Sequence, residues 1–158
     1  RVAILVGPGI DGDAARAIYA GLAAQGAVPR FVGAMLGQIP DDSGTPLHVE
    51  ISVEAGPSVL YDAVAIPDGT DAVARMCKDG QVAEFLKDQY RHGKAILAMG
   101  AAEALLDKVG IPRALPDGNP DPGIVGLGND NVDHALDMFI TALKQHKVFA
   151  RETDPPVL

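Results

Sequence analysis

The sequence predicts a single α/β domain of three layers, with helices on both faces of a mostly parallel sheet. Short apolar runs alternate with windows of helical periodicity, the order that builds such a sheet. The first run, Val2-Ala3-Ile4-Leu5-Val6, is apolar at every position, as a strand covered on both sides requires. The 158 residues, 47% of them hydrophobic, suffice for one core without covalent staples.

Gly7-Pro8-Gly9 stops the first strand. Asp11 and Asp13 follow, where a helix start favours a side-chain cap and negative charge. Ala15, Ile18, Tyr19 and Leu22 recur at helical spacing, and Gly26 ends the helix. Residues 28–32 read as a second strand, with Pro29 near its start, where a missing N–H matters least. Residues 33–57 are rich in Gly, Pro, Asp and Ser. They predict a looser segment with a turn at Asp41-Asp42-Ser43-Gly44 and one short strand at 48–52. Ala63-Val64-Ala65-Ile66 is a further buried strand, ended by Pro67-Asp68-Gly69. Helical windows cover 71–78 and 81–92, the second with Val82, Phe85, Leu86 and Gln89 on one side and Gly93 at its close. A strand at 95–98 and a helix at 101–109, capped by Gly110, come next. Four prolines make 111–122 a loop, and 123–126 reads as a last short strand. Val132, Ala135, Leu136, Phe139, Ala142 and Leu143 outline an amphipathic helix. Residues 151–158 are expected to lie extended on a surface. With no repeat and no linker, the plan is flavodoxin-like.

Charge narrows the function classes. Thirteen basic against 21 acidic residues leave a net −8, which argues against nucleic acid, where Lys and Arg must displace counterions, and against an anionic membrane surface. The single Cys77 excludes an internal disulfide and a multi-thiolate metal site. No apolar run approaches the ~18 residues of a membrane span, and no charged-then-apolar leader is visible. A soluble, cytoplasmic protein is the expectation. The start at Arg1, inside a strand pattern and without Met, predicts a fragment of a longer chain.

Four constellations bear on chemistry. Gly7-Pro8-Gly9-Ile10-Asp11-Gly12 matches G-x-G-x-x-G between a strand and a helix, the setting in which Gly7, Gly9 and Gly12 would let a pyrophosphate approach the helix start. Asp11 and Asp13 stand where the phosphates would sit, and no acidic residue follows the second strand to hold a ribose. A tight structural turn and a nucleotide-binding or oxidoreductase loop are both compatible with these residues. Lys94-Ala95-Ile96-Leu97-Ala98-Met99-Gly100-Ala101-Ala102 runs from strand to helix through small residues, like a nucleophile elbow. Its tip, Met99 or Gly100, offers no ionisable nucleophile. Cys77, beside Met76 and Lys78, has no nearby histidine. It reads as a small buried hydrophobe rather than the thiol of a cysteine hydrolase. His48, His92, His134 and His146 form no metal-ligand spacing, and Ser43, Ser52 and Ser58 lack a G-x-S-x-G setting.

Taken together, residues 1–12, the run Pro57-Ser58-Val59-Leu60-Tyr61-Asp62-Ala63-Val64-Ala65-Ile66-Pro67-Asp68-Gly69, the stretch 85–94 and the stretch 148–156 resemble the C-terminal domain of large-subunit (hydroperoxidase II-type) haem catalases. That domain is similar in turn to the class I glutamine amidotransferase-like superfamily, which includes PfpI-type proteases. The resemblance places the superfamily's elbow cysteine at Met99 and its acid at about Asp13, leaving a degenerate elbow and a vestigial acid. It implies a non-catalytic accessory domain with no cofactor of its own, haem belonging to a preceding catalase core. Tyr19, Tyr61 and Tyr90 match no haem-ligand motif. The implied partners are that core, the neighbouring subunits of a homotetramer, and unfolding client proteins shielded in a chaperone-like manner.

Overall fold

A computed structural model of the chain describes residues 1–128 and 131–152. Its sheet has six strands, all paired in parallel: β1 (Val2–Leu5), β2 (Pro29–Gly33), β5 (Ile51–Ser52), β6 (Ala63–Ile66), β7 (Ala95–Ala98) and β8 (Ile124–Val125), in the order β5-β2-β1-β6-β7-β8. The remaining strands, β3 (Gly37–Pro40) and β4 (Pro46–Val49), form a separate antiparallel hairpin. The helices are α1 (Gly12–Ala24), α2 (Thr70–Met76), α3 (Gly80–Arg91), α4 (Ala102–Val109) and α5 (Val132–Lys144). Helices α1 and α5 pack together on one face of the sheet, while α4 meets α2 and α3 on the other.

This architecture follows from which residues can be hidden. All residues of β1, β6 and β7 are buried, so both faces of these central strands must be covered by helices. Ile18 and Leu22 of α1, Leu86 of α3, Leu105 and Leu106 of α4 and Phe139 of α5 are fully buried beneath them. The helix starts are fixed locally. Asp11 accepts from Ala14 N at 2.8 Å, Asp79 from Gln81 N at 2.9 Å, and Asn131 from His134 N at 3.0 Å. Each cap satisfies an N–H that the helix itself cannot pair.

Two expectations need correction. Residues 33–57 hold three strands rather than one: the β3–β4 hairpin closes around the expected turn, and β5 adds an edge strand beside β2. The elements are two to four residues long, too short to display an alternating pattern, and Pro40 and Pro46 face each other where the hairpin ends. The expectation of an extended surface tail fails at Arg151. This residue lies in a 3-10 turn (Phe149–Arg151) and is 6% exposed. Glu152 is extended and exposed as expected, and residues 153–158 lie outside the described residues.

Arg151 is buried because it is paired. Its guanidinium meets both carboxylate oxygens of Asp121, lies 4.6 Å from the Tyr90 ring, and donates to Lys94 O at 2.8 Å. Asp121 Oδ1 also accepts from Gly123 N at 2.8 Å, which ties the loop before β8 to the end of the chain. Burying two charges costs too much unless they pair and the remaining donors find acceptors.

Candidate functional site

In an open parallel sheet, ligands and catalytic groups gather at the carboxyl ends of the strands, where successive connections turn opposite ways. Here that point lies between β1, whose connection leads to β2, and β6, whose connection leads to β7. The loops after these strands meet directly, Asp11 N donating to Asp68 O at 2.8 Å. A cleft of about 360 Å³ opens there, lined by Gly9, Asp11, Asp42, Asp68, Gly69, Thr70 and Asp71.

The strand-to-helix turn after β7 stands beside it. Met99 is 2% exposed and its N–H donates to Ile66 O, so its side chain belongs to the core. The residue with the left-handed backbone is Gly100, at φ +51°. Of the two expected tip positions, the strained one is therefore Gly100, and a Cβ placed there would stand 2.3 Å from Asp68 Cγ. The N–H groups of Gly69 and Ala101 converge on one point, at 2.7 and 2.8 Å. Such a pair suits a developing oxyanion. The point is held by Oδ1 of Asp68, so a carboxylate of the chain itself fills the position a reacting oxygen would take.

Asp13, expected as the acid of this site, projects into solvent: its side chain is fully exposed, with Arg16 at 3.5 Å. Asp68 stands at the turn instead. In the sequence Pro67-Asp68-Gly69 looks like a strand stop alone, although the first loop positions after a central strand are where such a group belongs.

The glycine-rich loop is equally occupied. Gly9 N donates to Pro40 O at 3.0 Å, Ile10 N to Gly7 O at 3.1 Å, Asp11 N to Asp68 O, and Gly12 N to the Asp42 carboxylate at 3.3 Å. A Cβ on Gly12 would lie 2.0 Å from Asp41 Oδ2, so glycine here admits the hairpin turn. Gly7 is buried, with Ala72 and Met76 3.6 Å from where its Cβ would stand. Between Gly9 and Gly12 every N–H is engaged within the protein, and Asp41 fills the space beside Gly12.

Asp41 holds that turn together. It accepts from Ser43 Oγ at 2.7 Å, Ser43 N at 3.0 Å, Thr45 N at 2.8 Å and Arg16 Nη2 at 2.7 Å. The Ser43 hydroxyl and the Arg16 guanidinium favour its ionised form over the opposing effect of burial, and its pKa falls from 3.8 to about 2.

The remaining candidates lie apart from the cleft. Cys77 caps the C-terminal end of α2, roughly 10 Å along the helix from the end that faces the cleft. Ser43 Oγ donates to Asp41, the Ser58 carbonyl accepts from Lys94 Nζ, and Ser52 Oγ accepts from Ala55 N. His48, His92, His134 and His146 are exposed on separate elements, and no cluster of three or more His, Cys, Asp or Glu able to hold a metal occurs among the described residues. Tyr19 packs on Phe31 at 4.8 Å, Tyr61 on Phe85 at 5.8 Å, and Tyr90 beneath Arg151. Among the described residues no helix is long and apolar enough to cross a membrane.

Comparison with known proteins agrees with this geometry. The chain is similar to Toxoplasma gondii DJ-1 in its oxidized form, at a TM-score of 0.75 with 19% identity, covering 91% of this chain and 89% of that one. Schizosaccharomyces pombe DJ-1 gives 0.75 with 14% identity, covering 92% and 90%. At such identities the likeness establishes the fold alone. In sequence, the chain is 30% identical to catalase HPII of Mycobacterium avium over 98% of its own length and 23% of the relative's. It is 28% identical to catalase HPII of Pseudomonas putida over 96% and 20%. The chain thus spans about a fifth to a quarter of the curated relatives it matches. A family model for the C-terminal domain found in long catalases matches residues 1–153, and the chain belongs to that family.

Proposed function

We propose that the chain is a non-catalytic accessory domain of a longer catalase chain, in which it contributes to the stability of the tetramer. The observation that carries this reading is the elbow. Its tip is Gly100, which has no side chain, and its two donors are already satisfied by Asp68. The superfamily's acyl chemistry needs a nucleophile and a free oxyanion site, and neither is available here. Conversion of hydrogen peroxide to water and oxygen belongs to a haem-bearing core outside these residues. The three tyrosine rings pack against Phe31, Phe85 and Arg151.

The catalase core and neighbouring subunits are then the partners, and shielding of unfolding proteins is a further role of the same surface. Large apolar side chains stand exposed, among them Val59 at 74% and Phe149 at 68%, and contact with another protein would cover them.

Two measurements test the reading. The purified chain consumes no peroxide and hydrolyses neither peptides nor glutamine; turnover that is lost on Asp68→Ala or Cys77→Ser would overturn the non-catalytic assignment. At equimolar ratio the chain suppresses aggregation of a heat-unfolded client more than an inert acidic protein does. Equal suppression by both removes the shielding role.

A further inference from the structure

A second cavity lies beside the elbow cleft and shares no lining residue with it. It has a volume of about 320 Å³ and sits at the carboxyl ends of β1 and β2, under the β3–β4 hairpin and against α2. Its floor is apolar: Leu5, Val32, Val49 and Val53 line it, each 5% exposed or less. Its mouth is apolar too. Met35 and Leu36, in the bend between β2 and β3, line the cavity while 76% and 66% exposed. Two large apolar side chains left in water at the lip of an apolar hollow gain contacts when something apolar enters it.

The polar residues of the lining select the ligand's head group. They are Gln38, Arg75 and Asp79. The carboxylate of Asp79 is spent on the start of α3, accepting from Gln81 N at 2.9 Å and Val82 N at 3.4 Å. Arg75 is exposed, and its guanidinium has no ion-pair or hydrogen-bond partner among the described residues. A guanidinium at the rim of an apolar pocket matches a carboxylate joined to an apolar body. One cation does not match a nucleotide's several phosphates.

We infer that this cavity binds a small amphipathic monocarboxylate, a medium-chain aliphatic acid or an aryl acid, with its apolar body on Val32, Val53 and Met35 and its carboxylate on Arg75. The inference stands on this cavity alone and does not depend on the role proposed for the domain.

The test is a titration of the full chain with octanoate at neutral pH, followed by calorimetry and by amide chemical shifts. The expected result is saturable one-site binding, with shifts concentrated in residues 32–39 and 72–79. Arg75→Gln weakens octanoate about two- to fivefold, as suits a partly exposed charge pair. Met35→Asp, at an exposed position where folding is unaffected, weakens it about tenfold or more, since it removes an apolar contact and places a like charge at the mouth. Octanol, which has no charge for Arg75, binds more weakly than octanoate, and Leu60→Asp, outside the cavity, changes nothing. The inference is overturned if octanoate gives no saturable binding up to about 5 mM, which is weaker than a pocket of this size should allow. It is equally overturned if Arg75→Gln and Met35→Asp both bind like the parent, or if octanol binds as tightly as octanoate.

Discussion

Replacing Arg151 by Met should be the most damaging conservative change at the end of the described chain. The side chains of Arg151 and Asp121 are 2% and 0% exposed, so neither charge has access to water. Methionine fills much of the same volume but leaves Asp121 with only the Gly123 N–H and no cation. Removing one partner of a buried pair costs about 3–5 kcal/mol, because the other charge stays desolvated. In a chain of this size each kcal/mol lowers the melting temperature by roughly 2–4 °C, so a fall of about 6–20 °C is expected. Urea unfolding followed by far-UV circular dichroism measures the free energy, with an unchanged slope showing that the native state is still the same. The double variant Asp121→Leu with Arg151→Met separates charge from packing. Two apolar groups need no ionic partner, so it recovers at least about 1 kcal/mol over the single variant. A loss below about 1 kcal/mol for Arg151→Met, or a double variant no more stable than the single, would refute the claim that the buried charge dominates.

The elbow geometry makes a second prediction. In a Cys77→Ser background, Gly100→Cys alone is strained by the left-handed backbone and blocked by the Asp68 carboxylate, costing about 1–3 kcal/mol and labelling slowly with iodoacetamide. Adding Asp68→Gly frees both N–H groups and speeds labelling at neutral pH; equal rates with and without Asp68 would count against its role. Asp41 gives a pH signature. Its pKa is lowered on folding, so its stabilisation is full above the unfolded value of 3.8 and fades as pH falls toward about 2. The stability gap between the parent and Asp41→Asn therefore narrows across that window in acid unfolding; a gap as large at pH 2 as at pH 5 contradicts the assignment. Finally, calorimetry with NAD, NADP, FMN and ATP shows no micromolar binding, because the N–H groups from Gly9 to Gly12 are engaged within the protein. Binding weakened by Gly9→Val would restore the nucleotide reading.

The main elements were legible in the sequence because their signals are local. Four-residue runs such as Ala63 to Ile66 are wholly apolar, and only a strand covered on both faces hides them. Val82, Phe85, Leu86 and Gln89 share a helix face by spacing alone, and all four are buried. The hairpin was missed because Gln38 and Ile39 reveal their strand only when paired with His48 and Leu47.

Periodicity and short motifs depend only on neighbours in the chain, and they suffice for the three-layer plan of the domain and its likeness to catalase C-terminal domains. Tertiary structure alone decided which carboxylate occupies the elbow. Asp68 and Ala101 are 33 positions apart, as Arg151 and Asp121 are 30 apart, and no local pattern records such meetings. It also decided that Asp13 faces water while Met99 is buried, since a side chain's surroundings are set by loops that return from distant strands. A strand ends where its own residues say, but what stands beside that end depends on the whole sheet.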